Sequence, residues 1–269
     1  MTKICAIIQT RMNSKRLPGK VLLPIHKKTM LDYVIKQVSA SKKIDKIIIA
    51  TTRSSKDKPI VEYCLKNSIS YYRGSTNDVL DRYYNCAKKF SCQTIVRISS
   101  DCPLIDPKII DQTVTLFLKN SFDYISNNIE KKKGKWENSL CKFPQGMVVE
   151  ISSFKILEKA WNEAKKPSER EHVYPYVQFN SKKFTRKNIM SKKDLSFIRC
   201  TVDKKEDLDF VRKLVTKIKN KNKVIHISDI LKVIKDYPDL VKINNKINFD
   251  EGYNISLEKD KKLSNKCQN

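Results

Sequence analysis

The chain has 269 residues, 40% of them hydrophobic, enough to build one large α/β domain or one domain with an appended lobe. Its formal charge of +26 comes from 55 lysines and arginines set against 29 acidic residues. These cations are spread over nearly every predicted helix and loop without a nucleic-acid-binding signature, so they read as a lysine-rich solvated surface rather than a DNA or RNA face. No apolar run approaches the ~20 residues that span a bilayer, and eight cysteines without a CxxC pair, with only three histidines, supply no zinc framework.

Residues 4–9 form a short apolar run, predicted as a buried strand. The segment before it lacks a signal-peptide pattern, and most cysteines lie in apolar surroundings that suit reduced core thiols, so a cytoplasmic protein is expected. The strand leads into a loop carrying Arg11, Lys15, Arg16 and Lys20 with no carboxylate among them. Concentrated positive charge and free backbone N–H groups suit a polyphosphate, and a nucleoside triphosphate is the expected ligand. After a short apolar piece at 21–24, the spacing predicts a helix over 30–38, a strand over 46–51, a helix over 57–66, a strand over 69–72, a helix over 77–90 and a strand over 94–98.

This alternation argues for a parallel sheet with helices on both faces, whose ligands bind outside the carboxyl ends of the strands. That rim holds the basic loop, Arg73-Gly74-Ser75 and Ser99-Ser100-Asp101. A helix over 106–118 and a strand at 124–126 follow, then a charged break at 131–135. Residues 146–151 read as a strand and 153–165 as a helix. Pro167 ends it, and Ser168-Glu169-Arg170-Glu171-His172 leads to another short helix. Residues 197–202 are predicted as a strand closing on Asp203, and 204–219 and 228–235 as helices. Two regions are expected: a catalytic domain over 1–243, with acceptor or dimerisation elements within about 121–190, and a polar segment over 244–269, disordered beyond Glu258.

Three rim residues have two readings each. Asp101 suits a Mg²⁺ ligand, since that ion takes oxygen donors and bridges phosphates, or a turn aspartate ahead of Pro103. Asp203 suits a second ligand or the N-cap of the helix after it. His172 suits acceptor binding or proton transfer, or a structural role. Trp136 and Trp161 read most simply as core or rim residues.

Residues Gln9-Thr10-Arg11-Met12-Asn13-Ser14-Lys15-Arg16-Leu17-Pro18-Gly19-Lys20 resemble the nucleotide-binding signature of cytidylyltransferases that activate acidic sugars such as 3-deoxy-manno-octulosonate and acylneuraminate. The match is best in the branch of spore-coat polysaccharide biosynthesis protein F. Similar stretches are Arg73-Gly74-Ser75 with Asp78 to Tyr83, Arg97 to Ile105, Ser168 to Tyr176, Thr201 to Asp203 with Glu206 to Leu208, and Asp250-Glu251-Gly252-Tyr253. The resemblance implies a three-layer α/β/α nucleotidyltransferase fold with a mostly parallel sheet. It implies triphosphate binding by Arg11, Lys15, Arg16 and Lys20, with polar or backbone contacts from Asn13 and Ser14. It also implies nucleoside contacts from Arg73, Gly74 and Ser75, and Mg²⁺ on Asp101 and Asp203.

The implied reaction is attack by an acceptor oxygen on the α-phosphorus of CTP with release of pyrophosphate, for surface polysaccharide synthesis. Arg11, Lys20 and Asp101 would act at the reacting phosphates, and Glu150, Arg170 and His172 are candidate acceptor contacts. A homodimer is expected, with neither nucleic acid nor membrane as a partner. Two departures stand out. The family loop usually has glycine where this chain has Asn13, a residue that tolerates the left-handed backbone. The branch also commonly has aspartate at the position of Val148, within Gly146-Met147-Val148-Val149-Glu150. Two alternatives therefore stand beside the leading reading: a nucleotidyltransferase acting on a phosphorylated metabolite, and a nucleotide-binding homologue without catalysis.

Overall fold

A computed structural model describes residues 3–127, 142–219, 223–248 and 251–266. Trp136, Cys141, Asp250, Cys267 and the charged break at 131–135 lie outside them. In chain order, β1 (Ile4–Gln9) is followed by a 3-10 turn at Lys20–Leu22, a small hairpin of β2 (Pro24–Ile25) and β3 (Lys28–Thr29), and α1 (Met30–Ser39). Then come β4 (Lys46–Thr52), α2 (Lys58–Lys66), β5 (Ser70–Gly74), α3 (Val79–Lys89), β6 (Thr94–Ser99), α4 (Pro107–Lys119) and β7 (Tyr124–Ser126). The second half carries β8 (Glu150–Ser153), α5 (Phe154–Glu163), α6 (Pro167–His172), α7 (Pro175–Phe179), β9 (Arg186–Asn188), α8 (Lys205–Lys217), α9 (Ile227–Asp236) and α10 (Glu251–Lys266).

The sheet runs β5-β4-β1-β6-β8-β7-β9. β5, β4, β1 and β6 are parallel, and β7 is parallel to β9, while β8 runs antiparallel to both β6 and β7. The order of the first four strands follows from right-handed crossovers on a parallel sheet. β1 is central and buried on both faces. Ile4, Ala6 and Ile8 pack into a core shared with α1, α2, α4, α8 and α9, while Cys5 and Ile7 pack against α3 and α5 on the other side. Side chains alternate across a strand, so one apolar run serves two helical layers. Each fully buried isoleucine contributes about 1.5–3 kcal/mol. The fold is therefore a three-layer α/β/α sandwich.

Polar groups inside the sandwich tie its layers together. Gln37, fully buried on α1, donates to the carbonyls of Ile105 (2.9 Å) and Ile225 (2.5 Å) and accepts from the Ile225 N–H (2.9 Å). Asp106 caps α4 through the Lys108 N–H (2.9 Å) and accepts from the Ile227 N–H (2.8 Å) at the start of α9.

Three local expectations give way. Residues 197–202 are not a strand, because their hydrogen bonds go to two different loops. Ile198 and Cys200 pair with Gln145, and the Val202 N–H donates to Asp101 O at 2.8 Å. Within 146–151 only the last two residues join β8. Beyond Glu258 the chain continues α10 to Lys266, where its polarity points to disorder. Tertiary contacts order that helix despite its composition. Tyr253 is buried edge-on to His172, and Asp260 accepts from the Ser168 N–H (2.8 Å) and hydroxyl (2.5 Å) on α6.

Candidate active site

The basic loop leaves the carboxyl end of β1 and folds back on itself. The N–H groups of Ser14 and Gly19 both donate to the Met12 carbonyl, at 2.9 and 2.8 Å. Buried Asp57 fixes its start, accepting from the Met12 N–H (2.7 Å), the Thr51 hydroxyl (3.1 Å), the Thr52 N–H (3.1 Å) and the Thr52 hydroxyl. Gly19 sits at φ +70°, a left-handed conformation that suits glycine, and opens the turn that drops Lys20 into the protein. Asn13 is not among the residues with positive φ, so this loop makes no demand for glycine there.

Lys20 is 8% exposed, and its ammonium joins three parts of the chain. Its Nζ donates to Val202 O (2.6 Å), Asp203 Oδ1 (3.0 Å) and Asp101 Oδ2 (3.4 Å). The two aspartates, a hundred residues apart in sequence, thus meet on one cation. Burial works against the lysine charge, but Asp101 and Asp203 outweigh it and hold the pKa above the ordinary lysine value. For Asp101, burial likewise opposes ionisation, and Lys20 with local hydrogen bonds overcomes it, so the carboxyl lies below its usual range.

Asp203 does not cap α8. Its oxygens go to Lys20, to Arg16 Nη2 (2.6 Å) and to Arg199 Nη2 (3.4 Å). Asp207 does the capping instead. Fully buried, it accepts from the N–H groups of Asp203 (2.9 Å) and Lys204 (3.0 Å), from Arg199 and from Asn244. Burial raises the pKa of Asp207, and Arg199 with the backbone donors more than reverses that, leaving it below the ordinary value.

A cavity of about 430 Å³ opens above this cluster, within the range of small-molecule sites. Arg11, Ser14, Lys15, Arg16 and Lys20 line it together with Asp101 and Asp203. Three of the cations face carboxylates: Arg11 with Glu171 (3.3 Å), Arg16 with Asp203 and Glu251 (3.4 Å), and Lys20 with its two aspartates. Glu150 and Arg97 form a nearly buried ion pair in the wall, and Glu150 also accepts from the Tyr124 hydroxyl at 2.6 Å. Val148 is part of the lining, so the aspartate common at that position in the branch would have added a carboxylate here. The first residues of α10 close one side. Ser256 Oγ lies 3.1 Å from His172 Nε2, and Gly252 and Tyr253 join the lining.

Five candidates stand apart from the lining. Asn13 is one. Arg73 donates to the carbonyls of Thr52 (3.1 Å), Arg53 (2.9 Å) and Ser54 (3.1 Å), and neither it nor Gly74 or Ser75 reaches the wall. Arg170 also lies outside the lining. It pairs with Asp78 (2.6 Å) and donates to Trp161 O, locking α6 to α3. Sequence reasoning missed Asp57, Asp207 and Glu251. For Asp207 a signal existed, since a carboxylate three residues after Lys204 is a helix-start pattern.

Two hard carboxylate oxygens converging on one cation suit Mg²⁺, which takes one or two carboxylates and completes its shell with water and phosphate. Among the described residues no group of three or more His, Cys, Asp or Glu side chains could hold a metal, so the protein would contribute Asp101 and Asp203 alone.

A cytidylyltransferase family model matches residues 5–233. An uncharacterized protein of Methanocaldococcus jannaschii, MJ1063, is 42% identical over 182 residues, which are 68% of this chain and 70% of that protein. Spore coat polysaccharide biosynthesis protein SpsF of Bacillus subtilis is 30% identical over 184 residues, 66% of this chain and 71% of its own length. The structure of a cytidylyltransferase from Leptospira borgpetersenii superimposes with a TM-score of 0.82 at 34% identity, covering 92% of this chain and all of the other. Among the described residues no helix is long and apolar enough to cross a membrane.

Proposed function

Because the chain belongs to the cytidylyltransferase family, we propose that it transfers CMP from CTP to an acidic sugar or related acceptor, with Mg²⁺, for surface polysaccharide synthesis. The observation that carries this reading is the Lys20 ammonium held between Asp101 and Asp203 beneath the basic loop. An acceptor oxygen attacks the α-phosphorus, a new P–O bond forms, the bond from that phosphorus to the bridging oxygen breaks, and pyrophosphate leaves. No covalent intermediate with the protein is needed.

The chain's share of that work is binding and charge. Arg11, Lys15 and Arg16 take the triphosphate oxygens, with Ser14 as a neutral donor, and Arg11 and Arg16 exchange their present carboxylate partners for phosphate. Lys20 remains charged across the physiological range, because its pKa is raised, and offsets negative charge developing on the departing pyrophosphate. Asp101 and Asp203 would hold Mg²⁺, which when bound neutralises phosphate charge and orients the triphosphate. Glu150 and His172 face the acceptor end, while Arg170 acts at one remove by fixing α6. The reading places the enzyme in the cytoplasm as a homodimer.

The test is a pyrophosphate-release screen of CTP, UTP, ATP and GTP against acidic sugars and sugar phosphates. CTP with an acidic sugar is the expected productive pair, and Asp101→Ala is expected to abolish turnover. Release with a sugar phosphate alone would transfer the reading to a phosphorylated acceptor, and tight CTP binding without turnover on any acceptor would leave a nucleotide-binding protein.

A further inference from the structure

Arg82 on α3 is a buried cation that forms no ion pair among the described residues, with Glu171 and Asp57 acting on it only from a distance. It is 2% exposed and forms part of the cavity wall, yet no carboxylate among the described residues pairs with it. Its Nη1 donates to Ser75 O at 3.0 Å, and its Nε has no partner. Burying a charge in this way is costly unless something compensates it. Two more buried polar atoms of the same wall, Thr10 Oγ1 and Arg97 Nε, also lack partners.

The chain is shaped to seat this guanidinium. A Cβ on Gly74 would stand 2.9 Å from Arg82 Cγ and 2.7 Å from the Tyr72 ring, so only glycine leaves Arg82 its place. Ser75 then supplies the carbonyl that anchors Nη1, and its hydroxyl accepts from the Asp78 N–H (3.1 Å) just before α3. A destabilising charge kept by a fitted cradle beside a cavity points to a ligand. The triphosphate already has the loop cations, of which Arg11, Lys15 and Arg16 sit on a more exposed surface. A rigid, buried arginine instead suits recognition of one defined planar anion.

We propose that Arg82 is a specificity-determining residue that binds the carboxylate of the acceptor, with Gly74 and Ser75 as its cradle. This rests on the cytidylyltransferase reading. The experiment uses the full chain with Arg82→Met, which keeps the volume, and Arg82→Lys, which keeps the charge. Calorimetry measures binding of a non-hydrolysable CTP analogue with Mg²⁺, then of 3-deoxy-manno-octulosonate and N-acetylneuraminate to the CTP-analogue complex. Arg82→Met is expected to bind the analogue within twofold of wild type, to lose at least tenfold in affinity for the acids, and to melt no lower than wild type. Arg82→Lys should recover part of the acid affinity.

Unchanged acid binding in Arg82→Met overturns the proposal. So does a loss of analogue affinity in its place, which would assign Arg82 to phosphate, and so does a lower melting temperature in both variants, which would make the residue structural. A wild type that binds the analogue but neither acid also overturns it. A wild type that fails to bind the analogue defeats the cytidylyltransferase reading itself.

Discussion

Asp207→Asn tests whether the Asp203 loop is held in place by a carboxylate that lines no part of the cavity. Five donors converge on Asp207. Oδ1 accepts from Arg199 Nε (2.8 Å) and Asn244 Nδ2 (2.9 Å), and Oδ2 from Arg199 Nη2 (3.2 Å) and the N–H groups of Asp203 (2.9 Å) and Lys204 (3.0 Å). Asparagine keeps one acceptor and turns a donor toward the other set, so at least two buried donors lose their partner. At about 1–3 kcal/mol for each unsatisfied buried group, the loss at neutral pH should be about 3 kcal/mol. Arg199 limits it by keeping Gln145 Oε1 (3.1 Å) and Asp203 Oδ2 (3.4 Å). The charge-linked part has a sign. Asp207 lies below the ordinary carboxyl value when folded, so its contribution is complete above the unfolded pKa of about 3.9 and fades as pH falls through the folded value. Urea unfolding at pH 7 and pH 3 should therefore show a gap between wild type and variant that narrows in acid. Pyrophosphate release should fall at least tenfold, since Asp203 and Lys20 lose their support. A gap below about 1 kcal/mol, or one of equal size at both pH values, would refute the reasoning.

Lys20→Met should lower kcat by about 10²–10³, measured by pyrophosphate release, and circular dichroism should retain the native helix signal. In Glu150→Gln the neutral side chain can keep the Tyr124 bond but leaves Arg97 without its ion-pair partner. Removing one member of a buried pair costs about 3–5 kcal/mol, and thermal unfolding should register the loss. Glu251→Gln removes a carboxylate that now occupies Arg16. CTP affinity should rise, by no more than about fivefold because the pair is partly exposed, and the gain should shrink with added salt in a titration series.

The part of the molecule legible in the sequence is the part with a short-range pattern. The apolar run of β1, its alternation with helical segments and the cation-rich loop after it are local features, and they locate the rim at which Lys20 and Asp101 stand. What the pattern does not carry is pairing across the chain. Asp203 reads as a helix cap because its neighbours allow one, and only the fold brings it to Lys20 while Asp207 caps α8 from three positions after the N-cap. The tail reads as disordered because its order depends on Tyr253, Ser256 and Asp260 meeting α6. Arg73-Gly74-Ser75 is the sharpest case. The family resemblance implies a turn that contacts the nucleoside. In three dimensions Arg73 holds neighbouring carbonyls, Gly74 is the space into which Arg82 packs, and Ser75 bonds to Arg82. A glycine can be required by a turn, by a ligand or by another side chain, and its letter is the same in each case. The side chain that decides among them lies eight positions further on, across the turn into α3, which is why the anion-binding candidate at this end of the cavity emerges from packing.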